Sequence, residues 1–154
     1  MSQPPAMHFD LLGAHNAQSQ LRHYNRLIAQ LSGRPAVDLE RLLALIEDGN
    51  YIWLADGPGI QGAVATATCT FTLKRQGLWG QVEDVIVDNH WRRQGFGEAL
   101  MRHVIHFASE EIGAEGLQLT SRSTRVEAHE LYKSLGFEMV PTTVFRLELP
   151  WQSS

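Results

Sequence analysis

Residues 92–97 (Arg-Arg-Gln-Gly-Phe-Gly) place two fixed positive charges and two glycines directly before a helical pattern. The first turn of a helix has backbone N–H groups without a partner inside the helix, and the helix dipole favours an anion there. Glycine lets the backbone approach a ligand closely, and guanidinium groups suit phosphate oxygens. The stretch therefore indicates a phosphate-binding loop. The alternative is a tight turn with solvated arginines, and the loop alone does not decide between the two.

The segment before this loop, residues 82–87, contains three consecutive β-branched residues and predicts a buried strand. Strand, glycine loop and helix also occur in other phosphate-binding motifs, and two of these can be tested. A P-loop needs Gly-Lys-Ser/Thr, but the loop has no lysine. A dinucleotide fingerprint needs a third glycine, but Leu100 occupies that position. Neither motif fits.

The pattern that fits is Arg-x-x-Gly-x-Gly at residues 92–97, directly after a strand. It resembles the acyl-CoA-binding motif of the GNAT superfamily of N-acetyltransferases. A second motif of that family, Ala-x-x-x-Tyr followed by Gly-Phe, is matched by Ala128, Tyr132, Gly136 and Phe137. Two motifs in the right order are more specific than either alone.

The resemblance implies that acetyl-CoA is a cosubstrate and that a primary amine attacks it directly, in a ternary complex without an acyl-enzyme. It also implies that strands splay apart to admit the pantetheine arm. Many members carry Asn where this chain has Arg125, so Arg125 contacts either pantetheine or phosphate, or is a surface charge. The residues expected to bind the cofactor are Val85, Ile86, Val87, Arg92, Arg93, Gln94, Gly95, Phe96, Gly97, Glu98 and Arg125.

Acetyl transfer to an amine needs a proton acceptor, because an alkyl ammonium has a pKa near ~10.4 and is charged at neutral pH. The resemblance favours Glu83, acting directly or through a water. Neighbouring strand residues face opposite sides, so Glu83 and Asp84 should not share one groove unless the strand bulges. Asp84, a water, or a purely structural role for both carboxylates are the alternatives. Tyr132 is expected to donate a proton to the leaving thiolate, or else to be a packed aromatic.

The acceptor is expected to be a small-molecule amine. The alternatives are a protein lysine or N-terminus, or a non-catalytic, regulatory acyl-CoA-binding module. His103 and His106 lie near Glu110 on one predicted helix face. Histidines at this spacing are usually surface polar groups, so we expect no metal.

The elements around these motifs predict an α/β fold, the length suits one domain, and the resemblance implies that residues 1–154 form a single GNAT domain. We expect a mixed, mostly antiparallel twisted sheet of six to seven strands with about four helices. Ser32-Gly33-Arg34-Pro35 should end the first helix, and Thr124-x-x-Glu127 is a capping box for the fourth. The strands are predicted at residues 7–12, 51–55, 62–73, 82–87, 117–120, 137–140 and 144–149, with the fifth parallel to the fourth.

Composition limits the partners. The net charge of −4 does not favour a nucleic acid. No apolar run approaches the roughly 20 residues that span a bilayer, and the first residues do not resemble a secretory signal. The single cysteine, Cys69, suits a reducing compartment, so we expect a cytoplasmic protein. The alternating residues 145–151 make an edge contact in a homodimer plausible.

Overall fold

The computed structural model describes residues 6–31 and 34–150. Ser32 and Gly33, predicted to end the first helix, lie outside the described residues, as does Trp151 of the alternating stretch 145–151. The elements in chain order are β1 His8–Leu11, α1 Ala17–Ile28, α2 Leu39–Glu47, β2 Tyr51–Asp56, β3 Ala65–Lys74, β4 Gly77–Val87, a 3₁₀ turn Asn89–Trp91, α3 Phe96–His106 with a π-helical extension Phe107–Ile112, β5 Gly116–Leu119 and α4 Val126–Ser134.

The strands form one sheet in the order β1-β2-β3-β4-β5. The first four pair antiparallel, as an up-and-down meander, and β5 lies parallel to β4. A parallel neighbour needs a crossover, and α3 provides it. The expected α/β fold, with four α-helices and a mixed sheet, is confirmed.

Helices cover both faces of the sheet, and each face has its own core. The α3-side core combines Trp53, Leu100, Met101 and Val104 with Tyr132 of α4. The α1-side core, on the opposite face, has a separate set of buried residues from α1, α2 and the strands, including Leu27, Ile28, Leu42, Ile52 and Ile86. A side chain of β4 can therefore be assigned to a face by the core in which it packs.

The prediction of six to seven strands is wrong for the described chain, which has five. The two stretches predicted as final strands, residues 137–140 and 144–149, adopt no regular structure. An alternating pattern becomes a strand only when its backbone groups find a hydrogen-bonded neighbour. Within the described ranges, no hydrogen bond joins residues 138–150 to the rest of the chain. We call residues 138–150 the C-terminal arm.

Candidate active site

The candidate site begins where the pairing between β4 and β5 ends. The two strands are paired from Trp79 and Gly116 to Val82 and Leu119, and the pairing ends there. β4 continues to Val87, so residues 83–87 have no β5 partner on that side. Backbone N–H and C=O groups left free at a strand edge are available to bond an extended ligand.

A β-bulge interrupts β4 beside this opening. Thr68 of β3 pairs with Glu83 and Thr66 pairs with Ile86, so β4 contains one residue more than β3 between these pairs. Asp84, in the bulge, has a positive φ of 52°, which is unusual for a residue other than glycine. The extra residue shifts the alternation of side chains along the strand.

The bulge brings the two carboxylates to the same face of the sheet. Val82 and Val85 both pack in the α3-side core, although three positions apart in a regular strand they would face opposite sides. Glu83, directly after Val82, faces the α1 side and is exposed. Asp84 also faces that side, because it forms an ion pair with Arg34, between α1 and α2. The condition under which both carboxylates could share one groove is therefore met.

The Asp84 carboxylate is already bonded to Arg34, whereas the side chain of Glu83 makes no hydrogen bond within residues 6–31 and 34–150. Burial disfavours the charge on Arg34, but the hydrogen bond and negative charge of Asp84 raise its pKa above the ordinary value. Burial, and then the charge of Asp84, raise the pKa of Tyr24, which is 2% exposed on α1. Asp84 therefore belongs to a structural cluster with Arg34 and Tyr24, whereas the exposed Glu83 carboxylate has no side-chain partner in the described chain.

The loop of residues 92–97 connects β4 to α3 through two left-handed residues. Gly95, the residue before α3, has a φ of 85°, and Arg93 has a φ of 62°. The first N–H groups of α3 point out of the helix here, as in an anion site. Arg92 donates from Nε to the Val87 carbonyl at 3.2 Å, and Arg93 contacts Glu127 of α4 at 2.6 Å. Both guanidinium groups are on the surface, where an added phosphate could reach them.

Two further loop residues have constraints of their own. Glu98 is turned along the helix to Arg102, at 2.9 Å, so its charge is offset by a cation. At Gly97 an added Cβ would approach side-chain methyls of Val87 and Leu131 at 3.3 and 3.4 Å. Gly97 therefore allows α3 to pack closely on β4 and α4. Gln94 is exposed, and Phe96 is buried in the α3-side core.

Tyr132 lies on α4, on the face of the sheet opposite Glu83. It is 7% exposed and meets Phe137 edge-on, with ring centroids 5.8 Å apart. Burial raises the pKa of its hydroxyl, and the positive charge of Arg125 partly opposes this shift. The hydroxyl is therefore protonated at neutral pH. Arg125 is exposed and precedes the first residue of α4.

Comparisons with known proteins identify the family of this chain. A family model described as "Acetyltransferase (GNAT) family" matches residues 20–137. The chain belongs to the GNAT acetyltransferase family. The resemblance inferred from the loop and the Tyr132 motif is confirmed at this level.

Among individual GNAT relatives, an "L-amino acid N-acetyltransferase AaaT" of Escherichia coli is 28% identical over 126 residues, covering 75% of this chain and 77% of that protein. Human "N-acetyltransferase 8" is 31% identical over 105 residues, which are 66% of this chain but only 44% of the human protein. The chain thus spans less than half of that relative. A crystal structure of a Trypanosoma brucei acetyltransferase is 25% identical, with a TM-score of 0.73, and covers 94% of this chain and 100% of that one.

Sequence reasoning gave no functional role to Asp88, which holds the segment leading into the loop of residues 92–97. It is 3% exposed, and it receives bonds from the backbone N–H of His90 at 2.9 Å and from Arg26 of α1. Burial alone would raise its pKa, but these bonds lower it to about 2. The only hint in the sequence was that Asp begins a turn.

Thr68 was also missed. Its hydroxyl is buried without a hydrogen-bond partner in the described chain, although it stands directly opposite Glu83. Nothing in a Thr-rich strand distinguishes this threonine from its neighbours.

None of the helices in the described ranges is long and apolar enough to cross a membrane.

Proposed function

We propose that this chain is an N-acetyltransferase that moves the acetyl group of acetyl-CoA to the primary amine of a small molecule, by direct attack in a ternary complex. The observation that carries the proposal is the opening along residues 83–87 of β4, which joins the phosphate loop at one end to Glu83 at the other. A ligand with a phosphate end and a long amide-containing arm fits such an opening.

Acetyl-CoA supplies the thioester carbonyl that the amine attacks, and residues of this chain bind its phosphates and its pantetheine arm. The N–H groups at the start of α3, with Arg92 and Arg93, bind the phosphates. The free edge of β4 at Val85 and Val87 bonds the pantetheine amides and polarises the acyl oxygen. Gln94 to Glu98 complete the loop, and Ile86 supports the strand from the α1-side core. Arg125, exposed just before α4, contacts either pantetheine or phosphate, or is a surface charge.

Glu83 accepts the proton of the attacking amine, directly or through a water. Removing a proton from an ammonium at neutral pH costs about 4–5 kcal/mol, so an acceptor near the site matters. Asp84 is the weaker candidate because its carboxylate is held by Arg34. Tyr132 belongs to the core on the other face of the sheet and is protonated at neutral pH, and in this proposal it gives its proton to the departing thiolate.

The acceptor approaches from the α1 side, where the exposed Glu83 carboxylate attracts an ammonium group. The Escherichia coli relative is named as an L-amino acid N-acetyltransferase, and this supports amino acids as our first candidate acceptors. Sugar amines and polyamines have the same reacting group and come next. We further propose that residues 1–154 form one domain, and that the protein is a cytoplasmic homodimer.

An amine library with acetyl-CoA tests this function. Thiol release and the mass of the acetylated product should identify an acceptor, and Glu83→Gln should lower the rate on that acceptor. Acetylation confined to protein lysines or N-termini would move the acceptor to that class. Acetyl-CoA binding without transfer to any amine would make the chain a binding module, and no binding at millimolar acetyl-CoA would overturn the proposal altogether.

A further inference from the structure

Arg34 brings a positive charge to the end of the opening where Glu83 lies. It stands between α1 and α2, and its Nη1 donates a hydrogen bond to the carboxylate of Asp84. Asp84 directly follows Glu83, and the bulge turns both side chains to the α1 side, so the guanidinium group is close to the proposed proton acceptor. Burial lowers the pKa of Arg34, but the bond to Asp84 and the nearby charge of Glu83 raise it above the ordinary value.

The guanidinium group of Arg34 has donors that Asp84 does not use. An arginine side chain carries five N–H donors in a planar fork, and within the described ranges that of Arg34 makes a single hydrogen bond. The side chain is 46% exposed, so its remaining donors can be reached from solvent. A guanidinium group that is fixed by one carboxylate and open on another side suits a second carboxylate.

The backbone at Asp84 is unfavourable, because a positive φ of 52° is rare for a residue other than glycine. A partly exposed ion pair contributes little to stability, so the pair with Arg34 does not by itself explain this conformation. Backbone strain of this kind clusters at ligand sites, where it fixes the position of a functional group. Here it holds the carboxylate of Glu83 and the guanidinium group of Arg34 side by side.

A negative and a positive group side by side are complementary to a ligand that carries the opposite pair. Consecutive Cα atoms lie about 3.8 Å apart, so the groups held at Glu83 and Asp84 are close neighbours. In an α-amino acid the ammonium and the carboxylate are attached to the same carbon atom and are also close neighbours. The ammonium then meets Glu83 and the carboxylate meets Arg34. A polyamine or an amino sugar has no such carboxylate and leaves the donors of Arg34 without a partner.

We propose that Arg34 binds the α-carboxylate of the acceptor, so that the chain acetylates free α-amino acids and discriminates against amines that lack this group. Asp84 orients the guanidinium group, and Glu83 receives the ammonium end. Arg34 contacts no reacting atom: the nitrogen bonds the acetyl carbon, the C–S bond breaks, and the proton of the amine passes to Glu83. The inference rests on the proposed acetyl transfer, and it adds a requirement for a carboxylate that the transfer itself does not contain.

Matched pairs of acceptors test this requirement. Leucine and 3-methylbutylamine, phenylalanine and 2-phenylethylamine, and histidine and histamine differ only by the carboxylate. In the parent enzyme, kcat/KM for at least one amino acid should exceed that for its amine by about 10–100-fold. Because the two amines of a pair also differ in pKa, the decisive quantity is how this ratio changes in a variant.

Arg34→Gln should remove the preference, chiefly by raising the KM of the amino acid, while the Kd of acetyl-CoA stays the same. Arg34→Lys keeps a cation beside Asp84 but not the planar fork, and should give an intermediate ratio. Arg22→Gln removes an exposed arginine charge from α1 and should keep the ratio of the parent enzyme. Equal or faster transfer to the amines in the parent enzyme, or a preference that survives in Arg34→Gln, overturns the role of Arg34 and leaves acetyl transfer intact.

Calorimetry separates a failure of this inference from a failure of acetyl transfer. Titrating the same amino acids and amines into protein saturated with CoA requires no reaction. At least one amino acid should bind the parent protein, and it should bind Arg34→Gln about 10-fold or more weakly. That result supports the carboxylate site even if no amine is acetylated. If no amino acid binds the parent protein, or if Arg22→Gln weakens binding as much as Arg34→Gln, the inference is wrong whatever the chain acetylates.

Discussion

Thr68 lies directly opposite Glu83 across the β3–β4 pair, at the last paired position before the bulge. Residues opposite each other share a face of the sheet, so the Thr68 hydroxyl and the Glu83 carboxylate both face α1. Thr68 as a whole is 7% exposed, and its hydroxyl has no hydrogen-bond partner among the described residues. A buried hydroxyl usually has a partner, and the acceptor site provides one in the form of Glu83, a water or the amine.

Thr68→Val should therefore lower kcat by about 2–10-fold, because a neutral hydrogen bond contributes roughly 0.5–1.5 kcal/mol. The substitution keeps the shape and removes an unsatisfied polar atom, so the melting temperature should stay the same or rise. Thr70→Val, two residues along the same face of β3, is the matched control. Unchanged kcat in Thr68→Val, measured with the acceptor found by the library, would mean that the hydroxyl plays no part in the reaction.

Glu83→Gln should leave acetyl-CoA affinity intact and reduce kcat at neutral pH. The loss should diminish as the pH rises, because more of the amine is then already unprotonated. Full pH profiles of kcat for Glu83→Gln and Asp84→Asn should differ. Asp84→Asn removes the partner of Arg34 and is expected to act through stability or acceptor KM. A Glu83→Gln profile that matches the parent enzyme would assign the proton to Asp84 or to a water.

Gly97→Glu should abolish the rise in melting temperature that acetyl-CoA produces in the parent protein. A ligand that binds only the folded state stabilises it, so this rise reports binding. The new carboxylate would repel phosphate and crowd the methyls of Val87 and Leu131. Gly97→Ala separates the two effects, because its Cβ meets those methyls at 3.3–3.4 Å, which needs only small shifts. We expect Gly97→Ala to retain binding, and a retained shift in Gly97→Glu would place the phosphates elsewhere.

The parts of this site that could be predicted from sequence are those determined by neighbouring residues. The strand, glycine loop and helix around residues 82–106 follow from local composition, and the structure has all three. The bulge at Asp84 could not be predicted, because its unusual backbone is accompanied by an ion pair to Arg34, fifty positions earlier. Sequence alternation predicted that Glu83 and Asp84 face opposite sides unless the strand bulges, and a single inserted residue brings both to the same side.

Two other predictions failed because a side chain or segment depends on a distant partner. The capping box at Thr124 and Glu127 is absent: α4 begins after Arg125 without a side-chain cap, and Glu127 binds Arg93 instead. The final strands were predicted from alternation alone, and in the described chain these residues pair with no neighbouring strand. Both failures concern long-range pairing, which a local pattern does not contain.

Asp88→Asn should reduce stability at neutral pH by about 2 kcal/mol, the equivalent of a pKa lowered from 3.8 to about 2 in the folded state. The folded protein holds this proton less tightly than the unfolded chain, so the carboxylate stabilises the fold above pH 4. That contribution is lost as the pH falls towards 2. Denaturation midpoints of parent and variant should therefore differ at pH 7 and converge near pH 2.

Glu127→Gln is the control for Asp88→Asn, because its ion pair with Arg93 is 70–81% exposed. It should change stability little at any pH. If Asp88→Asn keeps the stability of the parent protein at pH 7, the bonds to His90 and Arg26 do not anchor the loop as we describe.

Tyr132→Phe distinguishes an enzyme that protonates its leaving group from one that does not. The change removes one oxygen, and the ring keeps its packing against Phe137. The fold and the acetyl-CoA Kd should persist. kcat should fall by about 10²–10⁴, the usual range for a lost general acid, and we expect the lower end because a thiolate with a pKa near ~8.5 is already a fair leaving group.

The pH dependence makes the Tyr132 test sharper. Burial raises the pKa of this hydroxyl, so in the parent enzyme it stays protonated through neutral pH and should lose its proton, with a fall in rate, only well above neutrality. This fall in rate at high pH should be missing from the residual activity of Tyr132→Phe. If instead the hydroxyl only meets solvent, kcat should stay within a few-fold and any loss should follow the melting temperature. Measuring kcat, Kd and Tm on this one variant decides between the two, because only the catalytic role lowers kcat while binding and stability are unchanged.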